Sequence, residues 1–331
     1  SANLPDPTIL LPNKHFDTVI YTGNGGSQTI TYNYLPDWVW IKSRSSGDSH
    51  FLMDSVRGIG KQLASDDDST EVDGSAKFTG YTSTGYTLNT SDGSLNYSSR
   101  NYVSWGWNAG DTDGKTYAVT VVSDSGNKYR FDGFGTSAVT LDLAEGGTYV
   151  FDWSDSSAQS HPVRFSTTSD GTHGGGSEYT TGVVKDDSAY KTTITVAASA
   201  PQLYYYCQNH SGMGGAVNTN STLGSSNFEG NTQATVKANP TAGFSIISWN
   251  ARGTSSGTYD TLGHGLGVRP NWLILKSRNN TGNWNVYFSN FGSQAYNKIL
   301  QLSNTIADTQ SSNSWGADNT TPSSTFIILN H

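Results

Sequence analysis

The chain has 331 residues, a net charge of -8, a single cysteine, and only 14% charged residues beside 18 Tyr, 12 Phe and 9 Trp. Its Lys and Arg residues gather no further than the pairs around Lys42 and Arg44 or Lys276 and Arg278, which argues against nucleic acid and anionic membranes as partners. No apolar run approaches the roughly 20 residues of a membrane-spanning helix, and one cysteine excludes an intrachain disulfide, so stability rests on packing.

The length suggests two or three domains, and the charged fraction lies well below the roughly 25% of ordinary soluble proteins. Ser, Thr, Asn and Gly make up the difference, which together with the aromatic content reads as a polar-surfaced all-β protein with real cores. The N-terminus has no basic and apolar regions of a secretion signal, and Ser1-Ala2 suits a start from which an initiator methionine has been removed.

In chain order, Phe16-Asp17-Thr18-Val19-Ile20-Tyr21 is a first strand, and Pro36-Asp37-Trp38-Val39-Trp40-Ile41-Lys42-Ser43-Arg44 holds a second. The Trp-Val-Trp-Ile run is apolar at successive positions, as in a strand covered on both faces. The one helical candidate, 55–65, is interrupted by Gly58 and Gly60 and amounts to a turn or two; under about a tenth of the chain is expected in helix. Asp66-Asp67-Asp68 with Glu71 and Asp73 offers hard oxygens for calcium but reads better as an acidic surface loop. Strands follow at Tyr86-Thr87-Leu88 and Asn101-Tyr102-Val103-Ser104-Trp105-Gly106-Trp107. Asp111-x-Asp113-Gly114 opens like a calcium loop, yet Val122 stands where the bidentate Glu belongs, and the match fails.

The middle of the chain carries the residues richest in chemistry. A strand Leu203-Tyr204-Tyr205-Tyr206 runs into Cys207-Gln208-Asn209-His210-Ser211-Gly212-Met213, and His161 lies in Gln159-Ser160-His161-Pro162. Thiolate and thioether are soft donors and imidazole is borderline, so a His2Cys set with a weak axial Met suits a mononuclear copper centre; zinc more often recruits several cysteines or a carboxylate. The glycines at 212, 214 and 215 supply the turn. Against this stands the plain reading of Cys207 as a small buried hydrophobe and of His210 as a loop residue. His173, amid glycines, falls outside the ligand pattern and reads as solvent-exposed.

Past the middle, the first segment returns. Phe244-Ser245-Ile246-Ile247-Ser248-Trp249 aligns with residues 16–21, Pro270-Asn271-Trp272-Leu273-Ile274-Leu275-Lys276-Ser277-Arg278 with 36–44, and Thr325-Phe326-Ile327-Ile328-Leu329 with 84–88. Pro, Trp, Lys, Ser and Arg are identical between the two nine-residue motifs, which marks an internal repeat. The second copy has no counterpart of 101–107, so an edge and an apolar face are expected to be exposed, or filled by further chain or a neighbouring subunit. The expected organisation is a β-sandwich or jelly-roll repeat at 1–112, a separate middle domain at 113–218, and a second, incomplete copy of the repeat at 219–331.

The middle segment, roughly 115–217, resembles the cupredoxin family: a strand ending Tyr-Tyr-Cys-x-x-His-x-x-Met with a histidine upstream. The resemblance implies a Greek-key sandwich with copper held by His161, Cys207, His210 and Met213, and the short His210 to Met213 spacing is similar to that of amicyanins. Pro162 departs from the family pattern, because it has no N-H to steady the cysteine sulfur, a contact that tunes such metals.

The flanking repeats resemble segments of structural proteins of tailed marine phages, on Tyr21-Thr22-Gly23-Asn24-Gly25, the 36–44 motif, His50 with Asp54-Ser55-Val56-Arg57-Gly58, and Asn239-x-x-Ala242-Gly243-Phe244-Ser245-Ile246. The glycine-rich 167–176 run with 207–215 is likewise similar to a cupredoxin-like insert of such proteins. The resemblance implies lectin-like β-sandwiches in both flanking repeats and a non-enzymatic virion protein of a fibre, spike or capsid surface. It would be made in the host cytoplasm and displayed outside it, with other virion proteins, further copies of itself and a host-surface polysaccharide as partners. Aromatic rings and Asn, Asp or Thr would contact the sugar, although most of the aromatics must be core. Alternatives are a copper-binding electron-transfer protein and, third, a polysaccharide-degrading enzyme, for which no carboxylate pair is marked.

Overall fold

The computed structural model describes residues 9, 11–111, 114–253, 259–291, 295–304, 309–310, 315 and 322–330. Asp113, the 112/113 boundary and His331 lie outside them. The described residues are all-β. Helix is confined to four short 3-10 turns, Pro12–Lys14, Gly171–Gly174, Ser289–Phe291 and Ala295–Asn297, and the 55–65 candidate forms no helix.

In the first repeat the strands are β1 Phe16–Thr22, β2 Ser27–Thr31, β3 Trp38–Ser43, β4 Phe51–Asp54, β5 Lys61–Gln62, β6 Val72–Asp73, β7 Phe78–Thr82, β8 Gly85–Asn89 and β9 Asn101–Trp107. They form one sheet in the order β1-β9-β3-β4 and a second in the order β2-β8-β7. Period-two alternation decides what each side chain meets. In β3, Val39 and Ile41 are wholly buried in a core with Phe51, Met53, Phe78, Tyr86, Leu88 and Tyr102. Burying such a side chain is worth about 1.5–3 kcal/mol.

Trp38 and Trp40 leave β3 on the opposite face, and that face is also covered. The Phe244 ring stacks on Trp38 at 6.0 Å and on Trp107 at 6.2 Å. Trp38, Trp40 and Ile274 pack around buried Leu52, Leu63 and Trp284. A strand apolar at every position thus finds a core on one side and the second repeat on the other.

The middle domain is a sandwich of two sheets. Its strands are β10 Thr116–Ser123, β11 Asn127–Phe131, β12 Leu141–Asp142, β13 Thr148–Asp152, β14 Val163–Ser166, β15 Val183–Asp186, β16 Lys191–Thr195, β17 Leu203–Cys207 and β18 Gly215–Asn218. The sheet orders are β11-β10-β13-β16-β15 and β12-β18-β17-β14; β10 with β13 and β12 with β18 run parallel. The core between them holds Tyr117, Phe131, Phe151, Phe165 and Tyr205, and Phe228, from the segment after β18, packs into it as well.

The second repeat comprises β19 Ser225–Asn227, β20 Ala234–Asn239, β21 Phe244–Trp249, β22 Tyr259–Gly263, β23 Trp272–Leu275, β24 Asn285–Phe288, β25 Lys298–Gln301, β26 Thr309–Gln310 and β27 Phe326–Asn330. Its sheets are β19-β20-β21, β22-β27 and β23-β24-β25-β26. In the first repeat β9 bonds to both β1 and β3. Among the described residues no strand joins their counterparts β21 and β23. Leu273 and Leu275, at the places of Val39 and Ile41, are accordingly only half-buried.

The acidic loop bears on the seam between the repeats. Asp66, Asp67 and Asp68 are exposed, but the Trp284 indole N-H donates to the Ala64 and Asp67 carbonyls at 2.7 and 3.2 Å. Glu71 accepts two hydrogen bonds from Arg278, each 2.9 Å, and one from Arg57 at 3.0 Å, and Arg57 also pairs with Asp54. Burial acts to raise the Glu71 carboxyl, but Arg278 and Arg57 together draw it below the ordinary glutamate value. A carboxyl lowered by folding contributes stability that is full above its unfolded value and lost as pH falls through the lowered one. Denaturant midpoints measured from neutral to acid pH should therefore fall on the acid side, and Glu71→Gln should flatten that limb while lowering neutral-pH stability by about 1–3 kcal/mol.

Candidate metal centre

Strand pairing closes the 46-residue gap between the two ends of the site. β14 and β17 are antiparallel with Val163 opposite Cys207, and the Gln208 N-H donates to the Pro162 carbonyl at 3.0 Å, extending the ladder one step. His161 is thereby carried alongside the loop that leaves β17. That loop turns tightly: Gly212 has φ +75, and a Cβ on Gly214 would fall 1.7 Å from the Tyr205 carbonyl oxygen. Only glycine fits the second position, and the first favours it strongly.

Three of the four residues expected as ligands converge. Cys207 Sγ lies 3.6 Å from His161 Nδ1 and 3.7 Å from His210 Nδ1, and the three donor atoms lie within 4.8 Å of one another. A metal bonded at about 2.3 Å to sulfur and about 2.0–2.1 Å to nitrogen separates those donors by roughly 3.5–3.8 Å at angles from tetrahedral to trigonal. Cys207 is fully buried and His161 nearly so, while His210 is exposed. The His161 and His210 rings stand 4.6 Å apart, tilted by 48°. Met213 is buried in the same core cluster as Cys207.

Burial, and secondarily the neighbouring His210, hold the His161 imidazole below its ordinary pKa. It is therefore neutral at physiological pH, the form that offers a lone pair to a metal. A buried cysteine acting only as a small hydrophobe would need no pair of imidazole nitrogens aimed at its sulfur.

Four residues that brace the site were not singled out as supports by the sequence. The Tyr129 N-H donates to the Met213 carbonyl at 3.0 Å and its hydroxyl to the His161 carbonyl at 2.7 Å, so one β11 residue fixes both loops of the cluster. The Tyr129 phenol is pushed far up by burial and by Cys207, and it stays a neutral donor. The Asn209 N-H donates to Cys207 Sγ at 3.4 Å, and its side-chain amide to the Ser160 carbonyl at 2.9 Å. The sulfur thus receives the backbone N-H that Pro162 lacks. Asp170 Oδ1 accepts from the Gly212 N-H at 2.8 Å, and His173 Nε2 lies 3.0 Å from the Cys207 carbonyl. His173 is exposed as expected, yet it touches the cysteine's own backbone. The glycine-rich character of 167–176 was the one available signal.

The molecule is thus an all-β protein of sandwich domains with a buried cysteine sulfur and two imidazoles converging in the middle domain. Residues 11–173 and 216–331 match the model of a family described as a domain of unknown function, DUF7483, and the chain belongs to that family. The stretch 174–215, outside the match, holds Cys207, His210 and Met213, whereas His161 lies inside it. No curated protein and no solved structure matches the chain.

Asp170→Gly, which suits the left-handed backbone at this position (φ 58), frees the loop without touching a donor residue. It should weaken metal binding by about 10–100-fold, as loss of an outer contact does, with little change in thermal unfolding of the apo protein; competition titration with a chelator measures it.

Proposed function

We propose that the middle domain is a cupredoxin-like module in which His161, Cys207 and His210 would hold one copper ion, with the Met213 thioether, buried in the same core, as a further soft donor. The observation that carries this reading is the convergence of a buried cysteine sulfur and two imidazole nitrogens at 3.6 and 3.7 Å. Soft and borderline donors in a trigonal set suit copper better than hard cations. Copper bound there supplies a one-electron couple. The chain's own residues fix the donors: the β14–β17 ladder sets His161 against Cys207, Tyr129 holds both loops by their carbonyls, and Asn209 donates to the sulfur. Rigid donors keep one geometry through a change of charge, which favours electron transfer over chemistry at the metal.

For the flanking repeats, the reading is display on a phage particle as a non-enzymatic structural or adhesion component, with host-surface glycan as the contact. Their interlocked packing, with Trp284 and Glu71 holding the seam, favours a passive and durable surface element. Antibody labelling of purified particles should decorate them, and unlabelled particles would reject the display reading.

Titration of the apo protein with Cu(II) should produce an intense thiolate-to-copper absorption in the visible at one equivalent, lost in Cys207→Ser. A colourless protein that binds no copper would refute the centre. Met213→Ala should shift the reduction potential more than the copper affinity, read by redox titration beside chelator competition.

A further inference from the structure

Asp37 and Lys237 lie 200 residues apart in sequence and meet at the seam between the repeats. Lys237 Nζ stands 2.6 Å from Asp37 Oδ1, and the two side chains are 6% and 1% exposed. The carboxyl is gripped independently of the lysine. The Ser55 hydroxyl donates to Oδ1 at 2.6 Å, and the Ala109 N-H donates to Oδ2 at 2.8 Å.

As a simple ion pair the arrangement is poorly satisfied. An ammonium carries three N-H donors, and among the described residues Lys237 Nζ bonds to Asp37 Oδ1 alone. Unanswered donors on a buried cation are costly. A secondary amide at the same place would carry one N-H and a carbonyl oxygen already served by Ala109. In the second repeat the equivalent is Asn271, whose Oδ1 accepts from the Ser289 hydroxyl at 3.0 Å. The hydroxyl partner recurs there, while the acid and the amine belong to the first site.

We propose that Lys237 and Asp37 condense to an intramolecular isopeptide bond that joins the two repeats. The proton shared by Nζ and Oδ1 passes to the oxygen, leaving a neutral amine beside a neutral acid. The amine lone pair attacks Cγ and forms the Nζ–Cγ bond. A second proton leaves Nζ for Oδ1, the Cγ–Oδ1 bond breaks, and Oδ1 departs as water. The negative charge on Oδ2 in the tetrahedral intermediate is met by the Ala109 N-H, a fixed donor in a water-poor site. No oxidant or cofactor enters the balance. Burial acts in the same direction, raising the Asp37 carboxyl against the pull of Lys237.

The chain's two methionines, Met53 and Met213, both lie between the reacting residues. Under denaturing conditions the intact protein should be lighter than its sequence by one water molecule. Cyanogen bromide should release residues 1–53 and 214–331 as one branched species, with 54–213 free. Lys237→Arg keeps the charge but not the amine and should give the full mass and three separate fragments. Ser55→Ala, which keeps both reacting groups, should form the link more slowly. A wild-type chain of full mass that yields three separate fragments would overturn the proposal.

Discussion

The packing of the second repeat onto the tryptophan face of β3 is the contact on which the rest of the molecule leans. A strand reading Trp-Val-Trp-Ile cannot leave either face in water. The core of the first repeat takes Val39 and Ile41, and Phe244, Ile274 and Trp284 meet the other side. Once the faces are joined, Asp37 and Lys237, and Glu71 and Arg278, are brought within hydrogen-bonding distance. Asp37 and Lys237 are then shielded from solvent, whereas Arg278 stays partly exposed. The apolar seam supplies the driving force, and the polar contacts of Asp37 and Glu71 fix its register.

How much of this could be read in the sequence depends on the range of the interaction. The all-β character and the repeat were legible because alternation, turn residues and the Pro-x-Trp-x-x-x-Lys-Ser-Arg motif are local patterns. The convergence of His161, Cys207 and His210 was legible because the residue types are rare: one cysteine among 331 residues draws attention to whatever surrounds it. Tyr129, Asn209 and Asp170 were not, since tyrosines, asparagines and aspartates are common in this chain. Their role consists of contacts to backbone atoms, which leave no mark in residue identity. The acidic loop was read as surface, and its aspartates are exposed. Its engagement of the second repeat depends on which faces of two domains meet, information that no local pattern carries.

The middle domain shows a division of labour between sheet and loops. The β14–β17 ladder brings the donors together, and the β11 residue Tyr129 spans to both loops from the opposite sheet. The positions of the sulfur and nitrogens are therefore set by the packing of the two sheets as much as by the loop itself. Weakening the sandwich core would loosen this cluster even with His161, Cys207 and His210 intact.

The way the middle domain is attached has a mechanical consequence. The chain leaves the first repeat after β9 and returns at β19, where the Tyr117 hydroxyl donates to the Ser226 carbonyl at 2.9 Å and Gln233 reaches the Thr140 carbonyl at 2.7 Å. Entry and exit are thus stapled together at the base of the domain. Because the repeats grip each other directly, tension between them passes through the seam, with its Asp37–Lys237 junction, and not along the intervening chain. The middle domain hangs beside the load path rather than within it, so a pull or shear on the repeats would leave the spacing of its sulfur and nitrogens undisturbed until the seam itself gave way.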